Sequence, residues 1–353
     1  MRVCGLLIRT CLVSLLVALA TGAAGAHPLG DPPGRLYEVD GRAMHLFCRG
    51  KGSPTVVFDA GLGGASLEWD ATIARVSAFA EACVFDRSGY GWSDSRRQPR
   101  TSPREARELH TLLAASGRRG PFVLVGHSFG GLNAQCFARY FPEDVAGLVL
   151  VDASHPEQIE RFLAPPYRVR IAPSSSHGLV QFREPPPPHP RLDADAQRLA
   201  FYQSDHWRPR RALAQELLGF RDSTRAVRMA PALPQVPLLV ISRGRHSWPA
   251  TPQGDSLEAL WLSLQRELAA QSGRAAHLVA RASGHMVHLD QPELVAFGIA
   301  LVFDAHHQAA QSGDGAVARY FQGPLADAVW LRDTLGVPGL AGGAREAAVA
   351  VTP

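Results

Sequence analysis

Apolar and polar positions alternate along this chain in blocks. Short, nearly unbroken apolar runs recur at Thr55-Val56-Val57-Phe58, Cys83-Val84-Phe85, Phe122 to Val125, Val145 to Val151, Leu238 to Ser242 and His277 to Ala280. Each run is strand-length, and several are rich in β-branched residues. Between them lie segments with helical spacing: Trp69 to Ala82, Pro103 to Ser116 with Ser102 as its expected cap, Leu132 to Tyr140, Ser256 to Gln271 and Pro292 to Phe303. In the fourth, Leu257, Leu260, Trp261, Leu264 and Leu268 fall on one face. Leu36 to Val39 and Ala43 to Phe47 flank the turn Asp40-Gly41-Arg42 and read as an opening hairpin. Strands apolar throughout, alternating with helices, predict a mostly parallel sheet covered on both faces.

The alternation breaks between Ala153 and Gln235. Pro165-Pro166 and Pro185 to Pro188 interrupt it, and helical segments appear near Ala194 to Gln203 and Ala212 to Met229. Residues 153–235 are therefore expected to be an inserted cap over a core of 27–152 and 236–304. Within it, 173–190 reads equally as part of that cap or as a disordered proline-rich loop. Residues 305–353 form a C-terminal extension, with a helix expected over Ala316 to Leu335. At the other end, Arg2 and Arg9 flank an apolar run from Cys11 to Ala20, and Ala24-Gly25-Ala26 has the small-x-small form of a cleavage site. Residues 1–26 read as a secretory signal peptide, leaving no stable membrane span and an exported, periplasmic or secreted protein.

Composition changes this picture little. The 353 residues are 46% hydrophobic and carry a formal charge of +4, which falls to +2 once Arg2 and Arg9 are removed. No basic run with interleaved aromatics argues for nucleic acid. Cys48, Cys83 and Cys136 remain after the leader, with no spacing suited to a metal or haem.

One apolar run ends in candidate chemistry. Phe122 to Val125 leads into Gly126-His127-Ser128-Phe129-Gly130-Gly131, followed by a helix. Strand, Gly-x-Ser-x-Gly and helix in succession describe a nucleophile elbow, with Ser128 at the apex. A serine hydroxyl needs a base, normally a histidine oriented by a carboxylate. His285 follows the last strand, in Ser283-Gly284-His285, and so belongs to the strand-end edge that carries the elbow. His288 is expected to brace that loop one turn on. For the acid, Asp152 directly follows Val145 to Val151, giving the chain order Ser128, Asp152, His285. Asp255 is the alternative acid. The oxyanion donors are expected to be the N–H groups of Phe129 and of Leu62, or next Gly63, in Ala60-Gly61-Leu62-Gly63-Gly64. Tyr90 and Trp92 could line a pocket or merely plug a turn. Phe162, Tyr167, Phe201, Tyr202 and Trp207 are the aromatic cap residues available to line a substrate site.

The stretches AGLGG, DRSGYGWSD, GHSFGG, LVLVDASHP and SGHMVHLDQPELV together resemble the α/β-hydrolase superfamily. More narrowly, they are similar to exported bacterial serine hydrolases related in sequence to epoxide hydrolases and haloalkane dehalogenases. The resemblance spans Leu36 to Phe303. It implies an α/β-hydrolase fold, an eight-stranded sheet whose second strand is antiparallel to the rest, flanked by helices and topped by a helical cap insertion. That strand order would place Cys48 beside Cys83, so the resemblance implies a Cys48–Cys83 disulfide. Two departures matter. Epoxide hydrolases and dehalogenases have an aspartate where this chain has Ser128. Most members carry their acid after the seventh strand, where this chain has Arg243 to Ser247; some carry it after the sixth, where Asp152 stands.

The expected function is an exported serine hydrolase, carboxylesterase-like, cleaving a small ester or related acyl substrate through an acyl-enzyme without cofactor or metal. Lactonase, acyltransferase and peroxidase chemistry use the same constellation. A non-catalytic binding protein on the same fold is the contrasting reading, motivated by the empty acid position after the seventh strand.

Overall fold

The structure, a computed structural model, describes residues 27–96, 99–167, 188–312 and 348–349. Residues 1–26, most of 173–190 and the helix expected over Ala316 to Leu335 lie outside the described residues. Eight strands form the body of one sheet: β1 (Arg35–Val39), β2 (Arg42–Arg49), β3 (Thr55–Asp59), β4 (Ala82–Phe85), β5 (Phe122–His127), β6 (Val145–Val151), β7 (Leu238–Arg243) and β8 (Ala275–Ala280). Their order is β1-β2-β4-β3-β5-β6-β7-β8. Strand β2 runs antiparallel to both its neighbours, and every pair from β4 to β8 is parallel. A two-residue strand, Ala348–Val349, adds an antiparallel ninth edge beside β8.

The continuous apolar runs are explained by burial on both faces. Val123, Val125, Val149, Val151, Leu239 and Ile241 pack with α1 (Asp70–Val76) and α9 (Pro292–Ser312). The alternate residues Phe122, Leu124, Leu148, Leu150, Leu238 and Val240 pack on the other face with α2 (Ser102–Ala115) and α3 (Phe129–Tyr140). Successive strand residues point to opposite faces, so both parities must be apolar. Between β7 and β8 runs α7 (Pro252–Ala269), and α8 (Val287–Asp290) is a single turn after β8.

Three element readings are corrected. The helix expected over Trp69 to Ala82 is a 3₁₀ turn at Ser66–Trp69 followed by α1, ending at Val76. Ala82 already belongs to β4, because four residues there must pair with β2 from Leu46 to Arg49. Ser102 does not cap α2; Thr101 holds that position without a side-chain bond. The Ser102 hydroxyl instead donates to Asn133 Oδ1 at 2.7 Å, tying α2 to α3. The last helix continues past Phe303 to Ser312, since Ala305 is still buried on the core.

Among the described residues the insertion carries three helices, α4 (Gln158–Leu163), α5 (Ala194–Asp205) and α6 (Trp207–Met229). Asp193 caps α5 through Ala196 N–H at 2.8 Å.

Cys48 and Cys83 lie opposite one another in the β2–β4 ladder and are joined as a disulfide, 35 residues apart in sequence. Cys136 is a buried free thiol. Closing a loop of that length restricts the unfolded chain by about 3–4 kcal/mol in the chain-entropy model. Protein lacking residues 1–26 is expected to show one free thiol when denatured without reductant. A Cys48→Ala/Cys83→Ala variant is expected to unfold at clearly lower denaturant concentration. Three free thiols in the unreduced protein would disprove the bridge.

Candidate active site

The elbow is built as the glycine pattern requires. Ser128 joins β5 to α3 with φ 50° and ψ −117°, a left-handed conformation costly for a serine. Three backbone bonds hold it there. Its N–H donates to Val151 O at 3.1 Å, and its carbonyl accepts from Gly131 N–H at 3.0 Å and Ser154 N–H at 2.9 Å. A side chain at Gly126 would put its Cβ 2.4 Å from Gly130 O, and one at Gly130 would stand 2.3 Å from Asp59 O. Strand and helix therefore meet too closely for any other residue at these two positions.

Asp152 leaves β6 in a second left-handed conformation, φ 40°, with its side chain fully buried. Its carboxylate accepts four hydrogen bonds. Oδ2 receives His285 Nδ1–H at 2.6 Å and Arg243 Nη1–H at 2.8 Å. Oδ1 receives Trp261 Nε1–H at 2.7 Å and the Arg243 backbone N–H at 3.1 Å. Burial alone would raise this carboxyl's pKa. The hydrogen bond and charge of His285, with Arg243 and Trp261 behind them, outweigh it and hold the pKa at about 2. The bond to Nδ1 leaves His285 Nε2 as the ring nitrogen that is free to act as a base.

Asp255 is not part of this cluster. It is exposed on the first turn of α7 and faces the equally exposed His246 at 3.6 Å. The end of β7 is filled by Arg243, whose guanidinium also binds Glu258 Oε2 at 3.0 Å and lies over the rings of Trp248 and Trp261. A cation at the end of the seventh strand thus supports a carboxylate after the sixth.

Ser128 and His285 line one cavity of about 450 Å³, together with Gly61, Leu62, Gly63 and Gly64 of the loop after β3. Phe129 is the first residue of α3, so its N–H has no acceptor within that helix. The cap side is contributed by Leu192, by Ala200, Gln203 and Ser204 of α5, and by Arg210 and Leu213 of α6.

The aromatic residues expected to line the site do not. Residues 200, 203 and 204 share the inner face of α5, which rotates Phe201 outward to 55% exposure; Trp207 is 62% exposed. Tyr202 is buried against His206 and His27, Phe162 packs on Trp248 and Trp261, and Tyr167 is also absent from the cavity wall. Tyr90 and Trp92 are plugs. Tyr90 is fully buried and donates to Glu216 Oε2 at 2.8 Å, while Trp92 Nε1 donates to Gly30 O at 3.0 Å.

Four supporting residues were not singled out from the sequence. Arg87, in the loop after β4, is 2% exposed and spends all five N–H donors. Nη1 donates to Asp59 Oδ1 and Ala60 O, both at 2.6 Å, and Nη2 to Gly61 O at 2.7 Å. Nε and Nη2 donate to the two oxygens of Glu216, at 2.9 and 3.2 Å. Glu216 belongs to cap helix α6, also receives Arg100, and is fully buried. The loop that faces Ser128 is thereby tied to the cap through one guanidinium. His127, before the nucleophile, is buried, and its Nε2 lies 2.9 Å from His285 O, so it braces the base loop. Burial, with His288 and His285 nearby, keeps its pKa well below the usual histidine value, so it is neutral. His288 braces from the other side, stacked on Trp69 at 4.4 Å, and burial pushes its pKa down to about 3. Glu68, on the cavity wall, is pushed up to about 7, chiefly by burial. Only Arg87 had a local signal, its place in the turn-rich Asp86 to Asp94 loop; the others are ordinary helix or strand-end residues.

Comparison with known proteins agrees with this architecture. The model of the alpha/beta hydrolase family matches residues 56–296. The Bacillus subtilis (strain 168) protein YqjL is 26% identical over 277 residues, covering 78% of this chain and 94% of YqjL. Two solved structures share the fold: a thermophilic esterase from Thermogutta terrifontis (21% identical, TM-score 0.56, 77% of this chain and 98% of that one) and the enol-lactonase from Burkholderia xenovorans LB400 (19% identical, TM-score 0.56, 76% and 99%). With its sheet order, its strained serine and a family match over more than half its length, the chain belongs to the α/β-hydrolase family.

Proposed function

We propose that this protein is an exported serine hydrolase acting on a small ester or related acyl substrate. The observation that carries the reading is the 2.6 Å bond from His285 Nδ1–H to the buried, ionised Asp152, on the same cavity wall as the strained Ser128. In this reading His285 Nε2 takes the Ser128 proton as Oγ attacks the acyl carbonyl. Asp152 stabilises the imidazolium that results. The N–H groups of Phe129 and Leu62 receive the oxyanion. His285 then protonates the leaving group and activates the water that releases the acid. Hydrolase chemistry on this fold is supported by the family match and by structural neighbours that include an esterase and a lactonase. The non-catalytic reading loses its motivation, because the acid that is missing after β7 has a counterpart in Asp152.

Export is part of the proposal. It is motivated by the Arg2 to Ala26 pattern, and a Cys48–Cys83 disulfide suits an oxidising compartment. Among the described residues no helix is long and apolar enough to cross a membrane.

Three outcomes are expected. A fluorophosphonate probe labels the wild-type protein on Ser128 and leaves Ser128→Ala unlabelled; equal labelling of the two would remove Ser128 from the mechanism. In ester hydrolysis, Asp152→Asn lowers kcat by about 10³–10⁴-fold, as expected when a triad carboxylate is lost, while Asp255→Asn is unchanged. The reverse pattern would return the acid to Asp255. Glu216→Gln weakens the seat of Arg87 under the Gly61 to Gly64 loop. It is expected to lower kcat by about tenfold to a hundredfold, the scale of a small misplacement at the reacting centre, with KM little changed. A change confined to KM would assign Glu216 to the cap alone.

A further inference from the structure

One carboxyl group on the cavity wall has no part in the triad or the elbow. Glu68 sits in the 3₁₀ turn Ser66–Trp69, directly after the Gly61 to Gly64 loop, with 19% of its side chain exposed. Its carboxyl lies against Gly64, where a side chain would place its Cβ 2.6 Å from Oε2; the glycine makes room for the acid. The Ala65 backbone favours its ionised form, but less than burial disfavours it.

Among the described residues no arginine or lysine forms an ion pair with that carboxylate. Arg87 is near enough to be felt, but its five donors are taken by Asp59, Ala60, Gly61 and Glu216. Asp86 is the other charge nearby, and it is of like sign. His288 Nε2 approaches to 3.8 Å, beyond hydrogen-bond reach, and that ring is held neutral by burial, as is His127. Arg210 lines the same cavity but is exposed on α6, and among the described residues it makes no ion pair with Glu68. Burial consequently pushes the Glu68 carboxyl up to about 7, so a ligand that supplied a positive charge would ionise it and recover the electrostatic energy the site lacks.

We propose that Glu68 is a specificity-determining residue that receives a protonated amine of the substrate, beside the loop that faces Ser128. The proposal deepens the hydrolase reading and rests on that cavity being the acyl-substrate site. The class it names is an ester or related acyl compound carrying a primary ammonium close to the scissile carbonyl. The rest of the wall, Leu62, Leu192, Leu213, Met286 and Leu289, would hold an apolar chain.

Calorimetric titration at pH 8 with hexylammonium chloride and, separately, with 1-hexanol tests the proposal without requiring turnover. The wild-type protein is expected to bind hexylammonium at least tenfold more tightly than hexanol. Glu68→Gln is expected to bring the two within about twofold, and Glu68→Asp, with the charge kept, to retain part of the preference. Equal binding by the wild type, or a preference that survives Glu68→Gln, overturns the proposal. The hydrolase reading fails separately, through absence of fluorophosphonate labelling on Ser128. An ammonium preference in an unlabelled protein would leave the amine site standing and the hydrolase reading refuted.

Discussion

The site depends on one buried carboxylate. Asp152 draws together four separately folded pieces of chain: the end of β6, Arg243 closing β7, Trp261 on α7 and His285 in the loop after β8. An ionised carboxylate in a dry interior is unfavourable unless its lone pairs are all occupied. Here each oxygen accepts two donors. Stripping such a pair of one partner typically costs about 3–5 kcal/mol, so the same interaction that orients the base also holds the carboxyl ends of three neighbouring strands in register. The left-handed backbone at Asp152 and at Ser128 is affordable only because surrounding bonds over-determine both positions.

A second buried ionic centre does for the cap what Asp152 does for the sheet. Arg87 binds two carbonyls of the loop that faces Ser128 and, with its remaining donors, Asp59 and Glu216. A planar guanidinium with five fixed donors suits this better than any other cation, because it can hold loop and cap in one plane. The cap and the loop that faces Ser128 are therefore mechanically linked, although the residues concerned are 129 positions apart in sequence.

How much of this was legible in the chain varies with the range of the interaction. Ser128, Gly126 and Gly130 could be read because an elbow is local: strand, strained residue and helix are contiguous, and each glycine answers a clash within a few residues or with the adjacent strand end. His285 and Asp152 could be read because both follow directly on apolar strands, and parallel strands deliver their ends to one edge. The aromatic lining was misread because helix rotation about its own axis is set by packing. Phe201 and Gln203 are two positions apart on α5, yet one faces solvent and the other the cavity. The Ser102 cap failed for a similar reason, since a neighbouring helix offered Asn133 as a competing partner.

Local pattern alone thus determined the parallel sheet, the elbow, the strand-end positions of Asp152 and His285 and the presence of an insertion, because each is written in hydrophobic period, in glycine placement or in the residue that ends a strand. The tertiary structure decided what long-range electrostatics and packing decide. It set Asp152 against His285 among four donors and left Asp255 exposed beside His246. It made Arg243 a support where the strand end had looked empty, and it placed Glu68 on the cavity wall with no arginine or lysine paired to it among the described residues. Charges find their partners across the fold, and the sequence carries no measure of that distance.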